Sequence, residues 1–399
     1  MSYPIVKLGD VADFIRGITF KPTDVVPLDA DDAVVCMRTK NVQTLLDCED
    51  LLAVPSQFVR RKDQYLQEGD ILVSSANSWN LVGKCCWIPR LPWRAAFGGF
   101  ISVLRGEPSQ VDRRYLYWWF ASERVQALLR SFGQKTTNIS NLNIDRCLQL
   151  DLPLPPLPEQ RRIAAIIDQA DALRAKRREA LAQLDRLAQS VFVEMFGDPV
   201  SNPQAWPRKP LVELIAKDDS INYGVVQPGD DVDDGVPLVR VGDLIDGQVR
   251  HENLKRIAPE IERTYQRSRL KGDEILVSCV GSVGVVALAS ERERGFNIAR
   301  AVARIRVGDE VVREFLATQL QTTAVQRYFT QELRTVSQPT LNIKQIAETL
   351  LICPPLSMQR LFADRLSAVR ETRKRLVASS ELTESMFHSL QYRAFRGDL

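Results

Sequence analysis

The chain has 399 residues, 45% hydrophobic and 26% charged, the balance of a folded globular protein long enough for two or three domains and not of a disordered one. No apolar run approaches the roughly 18 residues of a membrane helix, and Met1–Lys7 carry no apolar signal region, so a soluble, cytoplasmic protein without a membrane partner is expected. A net charge of +3, distributed as +1 over residues 1–153, 0 over 154–198, −1 over 199–353 and +3 over 354–399, excludes a domain that holds nucleic acid by phosphate neutralisation alone.

In chain order, residues 70–74 and 81–88 are β-branched, aromatic or apolar runs around the polar loop Ser75–Asn80, which predicts strand, loop and strand. Tyr115, Leu116, Trp118, Trp119, Val125, Leu128 and Leu129 then share one face of a helical sequence, and this aromatic cluster reads as core. Pro155-Pro156 makes a rigid joint, because proline fixes its own φ and restrains its neighbour. From Glu159 to Phe196 there is no Gly or Pro. Ile163, Ile166, Ala170, Leu173, Ala180, Leu184, Leu187 and Val191 recur there in alternating steps of three and four, interrupted by Arg177, which is a coiled-coil seam. Pro158 and Gly197-Asp198-Pro199 are its start and stop signals.

The second half repeats the first. Leu142-Asn143-Ile144, Pro155-Pro156-Leu157 and Gln160-Arg161 return as Leu341-Asn342-Ile343, Pro354-Pro355-Leu356 and Gln359-Arg360, all at an offset of 199. Gly69-Asp70-Ile71 returns as Gly272-Asp273-Glu274-Ile275 with one inserted residue, the loop at 75–80 as Cys279-Val280-Gly281-Ser282, and Phe196-Gly197-Asp198 as Phe395-Arg396-Gly397-Asp398. A second helix over 358–395 carries a weaker stripe (Phe362, Leu366, Val369, Leu376, Met386, Leu390), broken by Thr372 and Ser379. The expected fold class is α+β: two tandem mixed α/β domains, residues 1–153 and 199–353, separated by helical regions 154–198 and 354–399. The two long helices are expected to pair as an antiparallel coiled coil, giving a pseudo-twofold internal repeat.

Catalytic chemistry is hard to find in these residues. The chain has two histidines, His251 and His388, neither with a ligand-spaced partner, and no G-x-x-x-x-G-K-[ST] phosphate cradle. Seven cysteines, at 36, 48, 85, 86, 147, 279 and 353, form no C-x-x-C pair, so no disulfide framework or zinc site is indicated and they read as small apolar residues. The Pro-Pro pairs lack the Asp or Asn before and the aromatic after that an amino-methyltransferase would show, and no glutamate has lysine two positions on. Gly281-Ser282-Val283-Gly284 is read as a turn. Arginine outnumbers lysine 40 to 13, which suits bidentate reading of guanine edges and equally follows from a GC-rich genome.

The run Pro155-Pro156-Leu157-Pro158-Glu159-Gln160-Arg161-Arg162-Ile163, continued to Phe192-Val193-Glu194-Met195-Phe196-Gly197-Asp198-Pro199, closely resembles the central helical region of type I restriction-modification specificity subunits. Ala394-Phe395-Arg396-Gly397-Asp398-Leu399 resembles the end of that family's second helical region, and Ser357-Met358 departs from the first repeat's Pro158-Glu159. The resemblance implies a non-catalytic subunit whose globular parts are target recognition domains, each reading half of a bipartite, asymmetric site in double-stranded DNA. It also implies two modification (methyltransferase) subunits and restriction motor-nuclease subunits as partners, with S-adenosylmethionine, ATP and Mg held by those partners and no cofactor here. A specificity subunit for a methyltransferase or fused restriction enzyme without a separate motor, and a non-DNA coiled-coil scaffold, remain the alternatives.

Candidate base readers are side chains able to meet base edges, in loops that the repeat superimposes. In the first domain these are Arg38, Lys40, Asn41, Asn77, Trp79, Asn80, Lys84, Lys135, Thr136, Thr137 and Asn138. In the second they are Asn222, Tyr223, Gln227, Arg240, Asp243, Ser282, Asn297, Arg300, Gln338 and Thr340. Each of them equally suits a solvated loop position.

Overall fold

The computed structural model describes residues 3–132, 134–135, 140–335 and 339–399, with the backbone alone described at 134, 135, 185, 334 and 335. The chain forms two compact units, one from Met1–Arg178 with Ala378–Leu399 and one from Glu179–Val377. Each unit therefore combines a globular part with half of each long helix, Leu157–Phe196 and Leu356–Arg396.

In the first unit, an antiparallel sheet orders the strands Ala12–Arg16, Ile101–Gly106, Ile71–Ser74 and Cys85–Trp87. The unbroken apolar run Ile71-Leu72-Val73, fully buried, reflects cover on both faces of this sheet. Ile71, Val73 and Leu104 pack with the helices Arg113–Phe120 and Glu123–Ser131, whereas Leu72, Cys86 and Val103 pack with Met37 and Phe97. Met37 and Phe97 belong to a second sheet, ordered Ala53–Pro55, Ala33–Met37 and Ala95–Phe97, whose last two strands run parallel. A small third sheet joins Gln134–Lys135, Ser140–Asn141 and Ala76–Asn77. The cluster at 115–120 is buried throughout, as its reading as core predicts, but the expected single face is split between two helices: Tyr117, off that face, is buried as well, and Leu128, on it, is 38% exposed.

The second unit repeats this plan. Ile275–Ser278 lies between Val286–Leu288 and Val302–Ile305, both antiparallel to it, and Val236–Val239 pairs in parallel with Asn297–Ile298. Gly69 and Gly272 open the equivalent strands with φ of 91° and 94°, a region open to glycine at little cost. The sequence match of Asp70 to Asp273 needs refinement. Asp70 accepts both the Gln67 amide and the Arg105 guanidinium. In the second unit these duties are divided: the buried Glu274 accepts the Lys271 and Gly272 amides, and Asp273 pairs with Arg306.

The long helices run antiparallel where they meet. In the first unit Arg174 pairs with Glu384 and Arg177 donates to the Ser379 carbonyl; in the second Phe192 and Phe196 pack on Phe362, and Arg365 pairs with Glu194. The buried face differs from the expected seam. Leu173, Leu187 and Met386 are 47%, 42% and 62% exposed, while Ile167, Phe192 and Phe387 are buried. The reason is that Ile163, Ala164, Ile167, Phe387 and Ala394 enter the first unit's globular core, and Phe192, Phe196, Phe362 and Leu366 the second's. Among the described residues no helix is long and apolar enough to cross a membrane.

Candidate functional site

In the first unit, four chain segments converge at one end of the sheets. Lys84 donates from Nζ to Gln43 Oε1 at 2.5 Å, joining the loop after Met37 to the loop after Ser74. The Ser75 and Ala76 amides donate to the Phe100 carbonyl at 3.0 and 3.1 Å, and Ala76-Asn77 pairs with Ser140-Asn141. The Gly98 amide donates to Met37 O at 2.9 Å, which closes the ring of segments.

The equivalent end of the second unit has the same wiring. The Ala299 amide donates to Val239 O, the Cys279 amide to Ala301 O, and Gly284 N to Ser278 O as Gly83 N does to Ser74 O. Val280 bridges Thr340, and the Arg300 amide donates to Val225 O at 2.8 Å. Arg38 thus corresponds to Arg240, Asn77 to Gly281, Lys84 to Val285, Gly99 to Arg300 and Phe100 to Ala301. The scaffold repeats and the outward side chains do not.

The sequence-chosen residues separate into three groups. Trp79 (50% exposed), Asn80, Gln227, Arg240, Ser282 and Arg300 are exposed at these ends, and Arg38, Lys40, Asn77, Lys84, Asn222 and Thr340 are half-buried. Arg38 and Lys40 both pair with Asp50, Asn77 donates to Ser74 Oγ, and Asn222 donates to Ser220 O. Arg240 pairs with Asp243, which raises the guanidinium pKa further.

A second group is committed to the fold and is corrected as base readers. Asn41, Asp243 and Asn297 are 1%, 2% and 0% exposed. Asn41 accepts the Arg38 amide and donates to the Asp47 and Asp50 carbonyls, and Asp243 accepts the Arg240 amide. Asn297 accepts from Ser268 Oγ and donates to the Tyr265 carbonyl and Glu262. Buried amides and carboxylates so satisfied would leave orphaned partners if they turned outward. Tyr223 is intermediate: its hydroxyl donates to Leu341 O at 2.9 Å, and burial raises its pKa to about 12.

The third group lies outside the described residues: Thr136, Thr137, Asn138 and Gln338. Lys135 is described as backbone in a strand only. The sequence pattern does not single out Gln43 or Phe100. Phe100 precedes an apolar strand and is 64% exposed; the glycine pair Gly98-Gly99 is its one sequence signal for a turn.

Comparison with known proteins gives a consistent picture. The family described as type I restriction modification DNA specificity domain matches residues 3–184 and 213–378. The chain is similar to the type I restriction enzyme EcoBI specificity subunit of Escherichia coli, at 32% identity over 100% of this chain and 86% of that protein. It is 23% identical to the EcoKI specificity subunit of Escherichia coli K12, over 100% of this chain and 89% of that one. Among solved structures, the type I restriction-modification S subunit from M. genitalium aligns with a TM-score of 0.53 at 14% identity, covering 98% of this chain and 96% of its own. A chain from a structure concerned with complex assembly and conformational transition of the type I R-M system aligns at 0.58 and 18%, covering 100% and 98%. At these identities the structural likeness concerns the fold.

Proposed function

The chain belongs to the type I restriction-modification DNA specificity family, and on that premise we propose that each of its two units reads one half of a bipartite, asymmetric DNA site. The observation that carries this is the repeated wiring of the strand ends: one backbone scaffold, used twice, presents Asn77, Lys84 and Phe100 in one unit and Arg300, Gln227 and Ser282 in the other. Base edges are distinguished by the donors, acceptors and apolar groups that meet them. Equal scaffolds with unequal side chains therefore select unequal half-sites.

In this reading the chain assembles with methyltransferase and restriction subunits: two modification subunits methylate adenine with S-adenosylmethionine, and motor-nuclease subunits cut unmodified DNA with ATP and Mg. This chain supplies sequence choice and no bond-making chemistry. The near-neutral domains fit a division of labour in which partners contribute much of the phosphate grip, since phosphate contacts position a protein and base contacts specify its sequence.

The test uses the complex reconstituted with its partner subunits and a randomised duplex library read out by methylation. Combining Gln227→Ala with Arg300→Ala should relax one half-site alone, by about 1–3 kcal/mol for each lost base contact. Asn77→Ala should relax the other half alone. Methylation without sequence preference by the unaltered complex, or equal loss in both halves from either variant, would overturn the assignment.

A further inference from the structure

Phe100 is 64% exposed, more than any other aromatic residue of the described structure. Its exposure is built into a tight, anchored turn. Ile101 N donates to Gly98 O at 2.9 Å, Gly98 N donates to Met37 O, and the Phe100 carbonyl accepts the Ser75 and Ala76 amides. On either side of the turn Phe97 and Ile101 are buried at 0% and 1%. Gly17 closes the base: a Cβ there would lie 2.2 Å from the Gly98 oxygen, so the two backbones are pressed together. The backbone of Phe100 is therefore held at a fixed place beside Ser75 and Ala76, the residues that precede Asn77, while its side chain is exposed.

The second unit keeps the turn and removes the ring. Val302 N donates to Ala299 O at 2.9 Å and Ala301 O accepts the Cys279 amide at 2.7 Å, so alanine stands where the first unit has phenylalanine. Maintaining the backbone does not require an aromatic ring. What the ring adds must be sought outside the unit.

We infer that Phe100 is a specificity-determining residue that recognises a thymine methyl group in the half-site read by the first unit. The inference rests on the reading of that unit as a DNA-binding domain. A phenyl ring has no hydrogen-bonding group, so covering a polar base edge would strip water from donors and acceptors without replacing their bonds. On the major-groove face the C5-methyl of thymine is the one apolar feature that a base pair presents, and apolar contact with it is an established mode of base choice. The second unit, with Ala301 at this position, has a shorter apolar side chain and lacks that aromatic contact.

The experiment replaces thymine by uracil, which removes the methyl and leaves the Watson–Crick edge unchanged. With the complete methyltransferase complex, each thymine in the first unit's half-site is substituted in turn, and binding is compared for the unaltered protein and Phe100→Ala. One substitution should weaken binding of the unaltered complex about three- to five-fold, the scale of one buried methyl. The same substitution should change binding of Phe100→Ala less than about 1.5-fold, because the methyl has already lost its partner. Thymines in the other half-site should respond equally in both proteins.

If the unaltered complex selects its site but ignores every uracil, or Phe100→Ala weakens binding equally on thymine and uracil duplexes, the methyl assignment falls while DNA reading stands. A Phe100-dependent rise in 2-aminopurine fluorescence, with no uracil effect, would mark a base-step wedge and also overturn it. If the unaltered complex does not distinguish its site from scrambled duplex, both assignments fall. Far-ultraviolet circular dichroism and melting of Phe100→Ala should match the unaltered chain, as expected for an exposed side chain.

Discussion

Gln160→Ala is expected to destabilise the first unit by about 2–6 kcal/mol although the residue touches no candidate reader. Gln160 is 1% exposed. Its Oε1 accepts the Asp112 amide at 2.7 Å, just before the helix Arg113–Phe120, and its Nε2 donates to the Pro155 carbonyl at 2.8 Å. Truncation orphans an N–H and a C=O in a buried joint, each costing about 1–3 kcal/mol. For a unit of about 200 residues, 1 kcal/mol moves the midpoint by about 2–4 °C, so a fall of roughly 4–24 °C is expected. Tryptophan fluorescence in urea is a suitable assay, because Trp79, Trp87, Trp93, Trp118 and Trp119 lie in this unit and Trp206 alone in the other. Gln160→Met keeps the volume and removes these hydrogen bonds, together with the longer one from Nε2 to the Gln110 carbonyl at 3.4 Å. Retention of full stability by the methionine variant would refute the hydrogen-bond argument and assign the loss to packing.

Gly224→Ala should cost at least about 3 kcal/mol, because its Cβ would lie 1.6 Å from the Ile298 carbonyl oxygen, whereas a Cβ at Gly242 meets nothing within 4 Å; Gly242→Ala is then the near-neutral control, and equal melting of the two variants would contradict this. Tyr223 is pushed from 10 to about 12, first by burial and then by Cys279. The folded state thus favours the neutral phenol, a contribution complete below pH 10 and lost as pH rises through 12. Tyr223→Phe, which also loses the bond to Leu341 O, should be less stable at pH 7, by about 1 kcal/mol, with the gap narrowing between pH 10 and 12; denaturation curves that stay parallel over that range would reject the assignment.

Much of the fold is legible in the sequence because repetition exposes what the backbone requires. Gln160 and Gln359 stand out at the offset of 199, and in the structure both bridge the same kind of joint. Gln359 accepts the Val312 amide and donates to Pro354 O, as Gln160 does with Asp112 and Pro155. The helical seam is less legible. A heptad argument assumes a lone partner helix, but here the helix ends also face globular cores, which draw in Ile167 and Phe387 and leave Leu173 and Met386 outside. Reader residues are the least legible part. Asn41 and Asp243 follow Arg38 and Arg240 by three residues and turn back onto their amides, a capping pattern that the sequence does contain. Asn297 has no such local sign, since Ser268 and Glu262 are about thirty residues away.

The distribution of differences between the two units carries the functional argument further than any single residue does. Positions that hold the scaffold are retained: Ser74 and Ser278 are both buried, Arg38 and Arg240 both pair with an acidic neighbour, and Gly83 and Gly284 both close the loop after the central strand. Interior substitutions come with compensation, as where Arg304 occupies the strand position of Val103 and is neutralised inside the fold by Asp219 and Glu274. At the strand ends the replacements Asn77 to Gly281, Lys84 to Val285, Gly99 to Arg300 and Phe100 to Ala301 exchange amide, cation, glycine and ring with no compensating change required by the backbone. A scaffold that needed those side chains for stability would not tolerate such exchanges. Two readers built to select different bases need that freedom at the edge and that constancy beneath it.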